Sequence, residues 1–228
     1  NNLKKQKNFT FNKINIVKKK QLDNYFKKKK INVVINLAAQ AGVRNSIKNP
    51  DKYFDSNIIG FYNILNMSKD NKIDHFIFAS TSSVYGNTSK FPTDENTTTD
   101  RPESFYAATK KCNEVLSYSY SNIYKLPTTC LRFFTVYGPL GRPDMALFKF
   151  VNLINKDKAI ELYNNGKHIR DFTYIDDVVN YIEKIIKITP KGTIPYSVLN
   201  IGSNKPKSLR HFISIIQKNL NKKIKISK

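Results

Sequence analysis

From residue 31 onward, short, nearly continuous apolar runs alternate with longer stretches whose apolar positions recur every three or four residues. INVVINLAA over 31–39, HFIFAST over 75–81 and PTTCLRFF over 127–134 have the pattern of strands covered on both faces. The stretch DKYFDSNIIGFYNILNMSKDN over 51–71 places Tyr53, Ile58, Phe61, Ile64 and Leu65 at helical spacing, and a second, long helix is predicted near 104–123. Further on, the pattern predicts a helix over 143–156, a short strand IELY, a turn NNGKHIRDF, a helix from Asp176 to Ile188, a strand SVLNIG and a helix from Ser208 to Leu220. Strands and helices in this alternation predict an α/β fold on a parallel sheet.

The chain has 228 residues, 40% of them hydrophobic, so it can bury a substantial core as one domain or two small ones. It contains no apolar run of eighteen or more residues. Its first residues, NNLKKQKNFTF, are basic and polar where a secretory leader would be apolar, so a soluble, intracellular, cytoplasmic protein with no membrane partner is expected. Cys112 and Cys130 have neither CxxC spacing nor histidine neighbours, so reduced thiols are expected and no metal site.

The formal charge of +22 changes this picture only partly. Residues 1–30 hold eleven lysines against one acid, Asp23, which concentrates much of the excess at one end. Lysine outnumbers arginine 33 to 6, whereas phosphate recognition favours the planar arginine fork. A solvated surface is therefore expected in preference to a nucleic-acid patch.

Within the predicted helix near 104–123, Tyr106 and Lys110 lie four residues apart and so share a face. An ammonium beside a phenol favours the phenolate, which equips tyrosine to act as a general base. A YxxxK pair alone is weak evidence in a chain with 13 tyrosines and 33 lysines. It is joined by ASTSSVYG at 79–86, which ends an apolar strand and carries the hydroxyls of Thr81, Ser82 and Ser83.

These segments, with LAAQAGVR at 37–44, NIIG at 57–60, RFFTVYGP at 132–139, RDFTYIDD at 170–177 and NIGS at 200–203, occur in the order found in extended short-chain dehydrogenase/reductase enzymes that act on sugar nucleotides. The chain resembles that family from Asn32 onward. The resemblance implies a Rossmann-like doubly wound parallel sheet, incomplete at the N-terminus, with a smaller substrate-binding α/β cap. It implies an NAD-binding domain over 1–137 and 173–202, and a partial nucleotide-sugar-binding domain over 138–172 and 203–228. By the same resemblance Tyr106 is the catalytic base, Lys110 holds the nicotinamide ribose, and Thr81 stands at the catalytic serine or threonine position. NAD would further meet Asn15, Ile16, Leu37, Ala38, Ala39, Gln40, Asn57, Ser80 and Phe133. The sugar nucleotide would meet Arg44, Ser82, Thr135, Arg142 and Arg170. A homodimer through the helix near 104–123 and its neighbour is also implied.

Within the family, dehydratases and UDP-glucuronate decarboxylases resembling this chain carry acidic residues at the places of Ser82 and Ser83, whose hydroxyls cannot supply that acid chemistry. AGVR and FFTVYGPLGRPDMA resemble UDP-glucuronate 4-epimerases more than UDP-glucose 4-epimerases, which tend to have asparagine in the place of Thr135. The expected reaction is UDP-glucuronate to UDP-galacturonate by transient oxidation at carbon-4. The alternatives are a UDP-glucose 4-epimerase, a UDP-glucuronate decarboxylase, an inactive fragment or a non-catalytic basic binding module. The 228 residues contain no GxGxxG or GxxGxxG turn, and residues 9–22 align with the family's third strand, with Asn15-Ile16 where Asp-Ile is common. The chain by itself is therefore expected to hold NAD loosely and to show little or no activity.

Overall fold

A computed structural model describes residues 3–88, 92–162, 166 and 169–227. In chain order its regular elements are α1 (Lys19–Lys28), β1 (Val33–Asn36), α2 (Val43–Lys48), α3 (Pro50–Tyr53), α4 (Phe61–Asp70), β2 (His75–Thr81), α5 (Phe105–Tyr124), β3 (Thr128–Phe133), β4 (Thr135–Tyr137), α6 (Ala146–Asn155), β5 (Ile160–Glu161), β6 (Ile169–Arg170), β7 (Phe172–Tyr174), α7 (Ile175–Ile186), β8 (Tyr196–Ile201), β9 (Lys207–Ser208), α8 (Leu209–Leu220) and β10 (Ile226–Ser227). The chain divides into two compact units, residues 1–131 with 189–199 and residues 132–188 with 200–228.

A four-stranded sheet in the order β1-β2-β3-β8 forms the Rossmann-like frame. β1 and β2 run parallel, with Val33 opposite His75 and Asn36 opposite Phe78. The middle of β2 is a continuous apolar run, as suits a strand covered on both faces, and Phe76, Ile77 and Phe78 are fully buried. The i, i+3, i+4 set Phe61, Ile64 and Leu65 of α4 packs on it, with the Phe61 ring 5.1 Å from Phe78 in an edge-to-face contact. Leu22 and Phe26 of α1 join the same core.

The helix predicted over 51–71 is three pieces. Pro50 opens α3 at its first turn, where a missing N–H costs nothing. A wide π turn over Phe54–Gly60 follows, and α4 continues from it. Gly60 permits a close approach, since a Cβ there would stand 2.7 Å from the Ile16 side chain. Residues 9–22, aligned above with a strand, form none: 9–15 are irregular and α1 begins at Lys19. A strand needs a ladder partner. Here the segment's polar groups are met by side chains instead, with Asn15 Oδ1 accepting from Val17 N at 3.0 Å and Asn63 Nδ2 of α4 donating to Ile16 O at 3.0 Å.

In the other unit, β4 pairs parallel with β7, Thr135 opposite Phe172, while β6 pairs antiparallel with β9 and β10 parallel with β5. Phe150 and Ile154 of α6, Ile160 and Ile213 of α8 make its core. Gly138, at φ 143°, has no room for a side chain because a Cβ would run into Ile175. Residues 164–165 and 167–168 of the predicted turn, and Tyr163 at the end of the predicted strand IELY, lie outside the described residues. Among the described residues no helix is long and apolar enough to cross a membrane, and no group of three or more His, Cys, Asp or Glu side chains could hold a metal ion.

Candidate active site

The first unit brings the predicted catalytic residues to the end of β2 and the start of α5. β2 closes with Ala79, Ser80 and Thr81, whose side chains alternate between faces. Thr81 caps the 3-10 turn Ser82–Tyr85: its Oγ1 accepts from Ser83 N at 3.2 Å and donates to Ser83 Oγ at 3.2 Å. At 3.2 Å the hydroxyl–hydroxyl contact is long for an O–H···O hydrogen bond. Ser80 points the other way, donating to the buried Glu114 at 2.6 Å, and Cys130 Sγ donates to the same Glu114 oxygen at 3.6 Å. The Ser80 hydroxyl is thus engaged in the core.

Lys110 is buried on α5 and donates from Nζ to Ala79 O at 2.8 Å, tying that helix to the strand that carries Thr81. Removal from water pulls its pKa down to about 8 from the ordinary 10.5. Tyr106, half-buried, sits in the first turn of α5. Ser104 caps that turn by accepting from Ala107 N at 3.1 Å, and Tyr106 N donates to Ser46 Oγ at 3.1 Å.

Leu37, Ala38, Ala39 and Gln40 follow β1 as a loop, in which only Ala39 is half-buried and the others are exposed. Asn57, on the π turn and fully buried, fixes that loop: its Oδ1 accepts from Gln40 N at 2.8 Å while Nδ2 donates to Gln40 O at 3.0 Å and to Thr109 Oγ1 at 3.0 Å. Its amide is occupied by protein, so Asn57 serves the site by holding Gln40 and α5. Asn15 spends its side chain on the local turn and Ile16 packs against α4's start at Gly60. Arg44 is exposed on α2, and Ser82 is half-buried.

The remaining predicted residues belong to the other unit. Thr135 and Arg142 line one apolar cavity with Tyr137, Met145, Phe148 and Phe172. Arg142 pairs with Asp144, Nε donating to Oδ1 at 3.0 Å, which holds the Asp144 carboxyl below the usual carboxylate range. Arg170 is exposed on β6 and donates to Ile169 O, and Phe133 is half-buried at the end of β3. Ser46, Thr109 and Glu114 were not singled out from the sequence, and Tyr53 only as an apolar helical position. Glu114 alone left a signal, since it falls one turn beyond Lys110 on the same helix face.

The sequence profile of the NAD dependent epimerase/dehydratase family matches residues 1–202. The chain belongs to this family. Protein CapI of Staphylococcus aureus is 51% identical over 95% of this chain and 69% of its own length. The UDP-glucuronate 4-epimerase of Thermodesulfobacterium geofontis is 44% identical over 99% of this chain and 68% of its own. Across five such relatives the chain spans 59% to 69% of their length. Among solved structures, the UDP-glucuronic acid 4-epimerase of Bacillus cereus in complex with UDP-glucuronic acid and NAD superposes at a TM-score of 0.89, with 34% identity, covering 99% of this chain and 70% of that one. The UDP-glucose 4-epimerase of Thermotoga maritima with UDP-glucose superposes equally well, at 0.89 and 26% identity over 98% and 72%.

The cofactor is NAD. The first unit suits it at a point the structure shows. An ammonium carries three N–H donors, and Ala79 O takes one from Lys110, leaving donors of the kind that ribose hydroxyls accept. The loop 37–40 is held by the Asn57 side chain on the backbone of Gln40, at the carboxyl end of a parallel strand where ligands of open α/β sheets bind.

Proposed function

We propose that this protein acts in the 4-epimerisation of UDP-glucuronate to UDP-galacturonate. The observation that carries the reading is the joining of Thr81, Tyr106 and Lys110 at one strand end and one helix start in a chain of this family. Bound NAD supplies the chemistry of accepting a hydride from the sugar's carbon-4 and returning it to the opposite face. Tyr106 takes the proton of the 4-hydroxyl on oxidation and gives it back on reduction. Lys110 donates to the ribose hydroxyls and keeps positive charge beside the phenol. Thr81 releases Ser83 to hold the sugar's oxygen-4.

Ser82 and Ser83 lie in the turn after β2 and give elimination no acid, which favours epimerisation over dehydration or decarboxylation. Thr135 would hold the sugar carboxylate out of the alignment that releases carbon dioxide from the β-keto acid. Arg142 and Arg170 suit the UDP phosphates by their planar forks, with Arg142 exchanging Asp144 for phosphate oxygen. A second reading, epimerisation of UDP-glucose, is favoured by the Thermotoga structure. The protein is proposed to work as a homodimer through α4 and α5.

Prolonged incubation with excess NAD and either UDP-glucuronate or UDP-glucose, followed by proton NMR of the anomeric signals, tests this. UDP-galacturonate should appear without released carbon dioxide. Because the 228 residues hold no glycine-rich phosphate turn, turnover should be far below an ordinary enzyme rate. Tyr106→Phe should lower it a further ~10²–10⁴-fold, the worth of a positioned acid–base group. A Tyr106→Phe protein as active as its parent, or release of a pentose nucleotide, would rule the mechanism out.

A further inference from the structure

Two buried side chains far from Tyr106 in sequence converge on it. Ser46 of α2 is fully buried, and its hydroxyl is committed in both directions: Oγ donates to Val43 O at 2.6 Å, which aims a lone pair at Tyr106 N, 3.1 Å away. That N–H is one of the first four in α5, which have no partner inside the helix. Ser104 supplies a second of these acceptors, so the turn bearing Tyr106 is anchored by its own cap and by α2. Tyr53 is also fully buried. Its hydroxyl lies 2.8 Å from both Ala41 O and Gly42 O and accepts from Asn45 Nδ2 at 3.2 Å, which fixes the segment leading into α2. Its ring meets the Tyr106 ring edge-on, the centroids 6.2 Å apart at 78°.

We propose that Ser46 and Tyr53 are positioning residues for Tyr106, Ser46 setting its backbone and Tyr53 its ring. The hydrogen bond alone could place the Cα and leave the phenol to rotate, and the ring contact alone could hold the ring on a fraying turn. Together they fix the phenol's approach to substrate. Tyr53 also fastens the segment in front of Arg44, so the same pair of buried groups links the base to α2. This assignment rests on the reading of Tyr106 as the base for its purpose, although its geometry does not.

The test uses the protein with ring-labelled 13C-tyrosine, the Tyr106 signal being identified by its loss in Tyr106→Phe. Ser46→Ala should shift the Tyr106 ring resonance and move its titration midpoint by half a unit or more, while thermal unfolding remains cooperative. Tyr53→Phe, which keeps the ring, should leave the resonance close to its parent position, and Tyr53→Leu should move it. Should Ser46→Ala fail to fold, Ser46→Cys retains the shape with a weaker acceptor, and the same shift is read there. A Tyr106 resonance and midpoint unchanged in Ser46→Ala or Ser46→Cys, with only the melting temperature lowered, would overturn the assignment. A parent Tyr106 titrating at the free-tyrosine value whose resonance still moves in Ser46→Ala supports the positioning role and removes the base, separating the two readings.

Discussion

Lys110 illustrates how a side chain proposed to act in the chemistry opposes the fold that carries it. The ammonium is buried with one carbonyl partner, and burial lowers its pKa to about 8 while the unfolded chain keeps the ordinary 10.5. Between those values the unfolded chain binds more protons, so this group makes folding more favourable as pH rises from about 8 to 10.5. Below 8 both states are protonated and the desolvation cost is felt in full. Lys110→Met should therefore raise stability by about 1–3 kcal/mol at pH 7, lose that advantage toward pH 10, and abolish turnover. Melting curves at the two pH values decide it; a variant less stable at pH 7 would contradict the desolvation account. The Tyr106–Lys110 pair was legible because helical spacing places residues four apart on one face. The services of Ser46 and Tyr53 were not, since the bond from Ser46 to Tyr106 spans 60 residues and no local pattern encodes it.

Strands and helices were legible where one period runs uninterrupted. β2 coincides with HFIFAST, and α5 lies within a residue of the expected stretch, because apolar continuity and helical spacing each point to one structure. The π turn at Phe54–Gly60 was hidden inside a stretch that reads as one helix, since a single wide turn hardly disturbs an apolar spacing of three and four. The strand expectation at 9–22 failed for a different reason: pairing partners, which sequence alternation does not supply, decide whether a strand forms. The wide turn carries Asn57, whose amide bonds Gln40 and Thr109. Asn57→Ala removes three hydrogen bonds, two to the Gln40 backbone and one to the buried Thr109, and should cost about 1–3 kcal/mol. It should also weaken NAD binding, measured by calorimetry; unchanged affinity would mean that the loop 37–40 does not hold the cofactor.

Larger organisation was the least legible. The resemblance implied a cofactor part over 1–137 and 173–202 and a substrate part over 138–172 and 203–228, and the chain has two compact units, with residues 189–199 returning to the first. That return follows from β8 pairing beside β3, a long-range choice that short-range patterns leave open. On the first unit, α4 and α5 share an exposed aromatic surface: Tyr62 meets Tyr120 edge-on, Tyr120 meets Tyr124, and Lys69 lies over the Tyr124 ring. Rings of this kind are enriched at protein interfaces, in keeping with the proposed dimer. Sedimentation at micromolar concentration should give a dimer that Tyr124→Lys converts to monomer. A monomeric parent protein would remove the dimer from the proposal.

The grip of Asn57 on Gln40 has a consequence of another kind. Gln40 is exposed, yet its amide hydrogen ends on a fully buried oxygen. Exchange with heavy water at that position must await the parting of Gln40 from Asn57 on the π turn, so the surface of the loop carries a clock set by a buried side chain. An outward-facing residue thereby keeps time for the core.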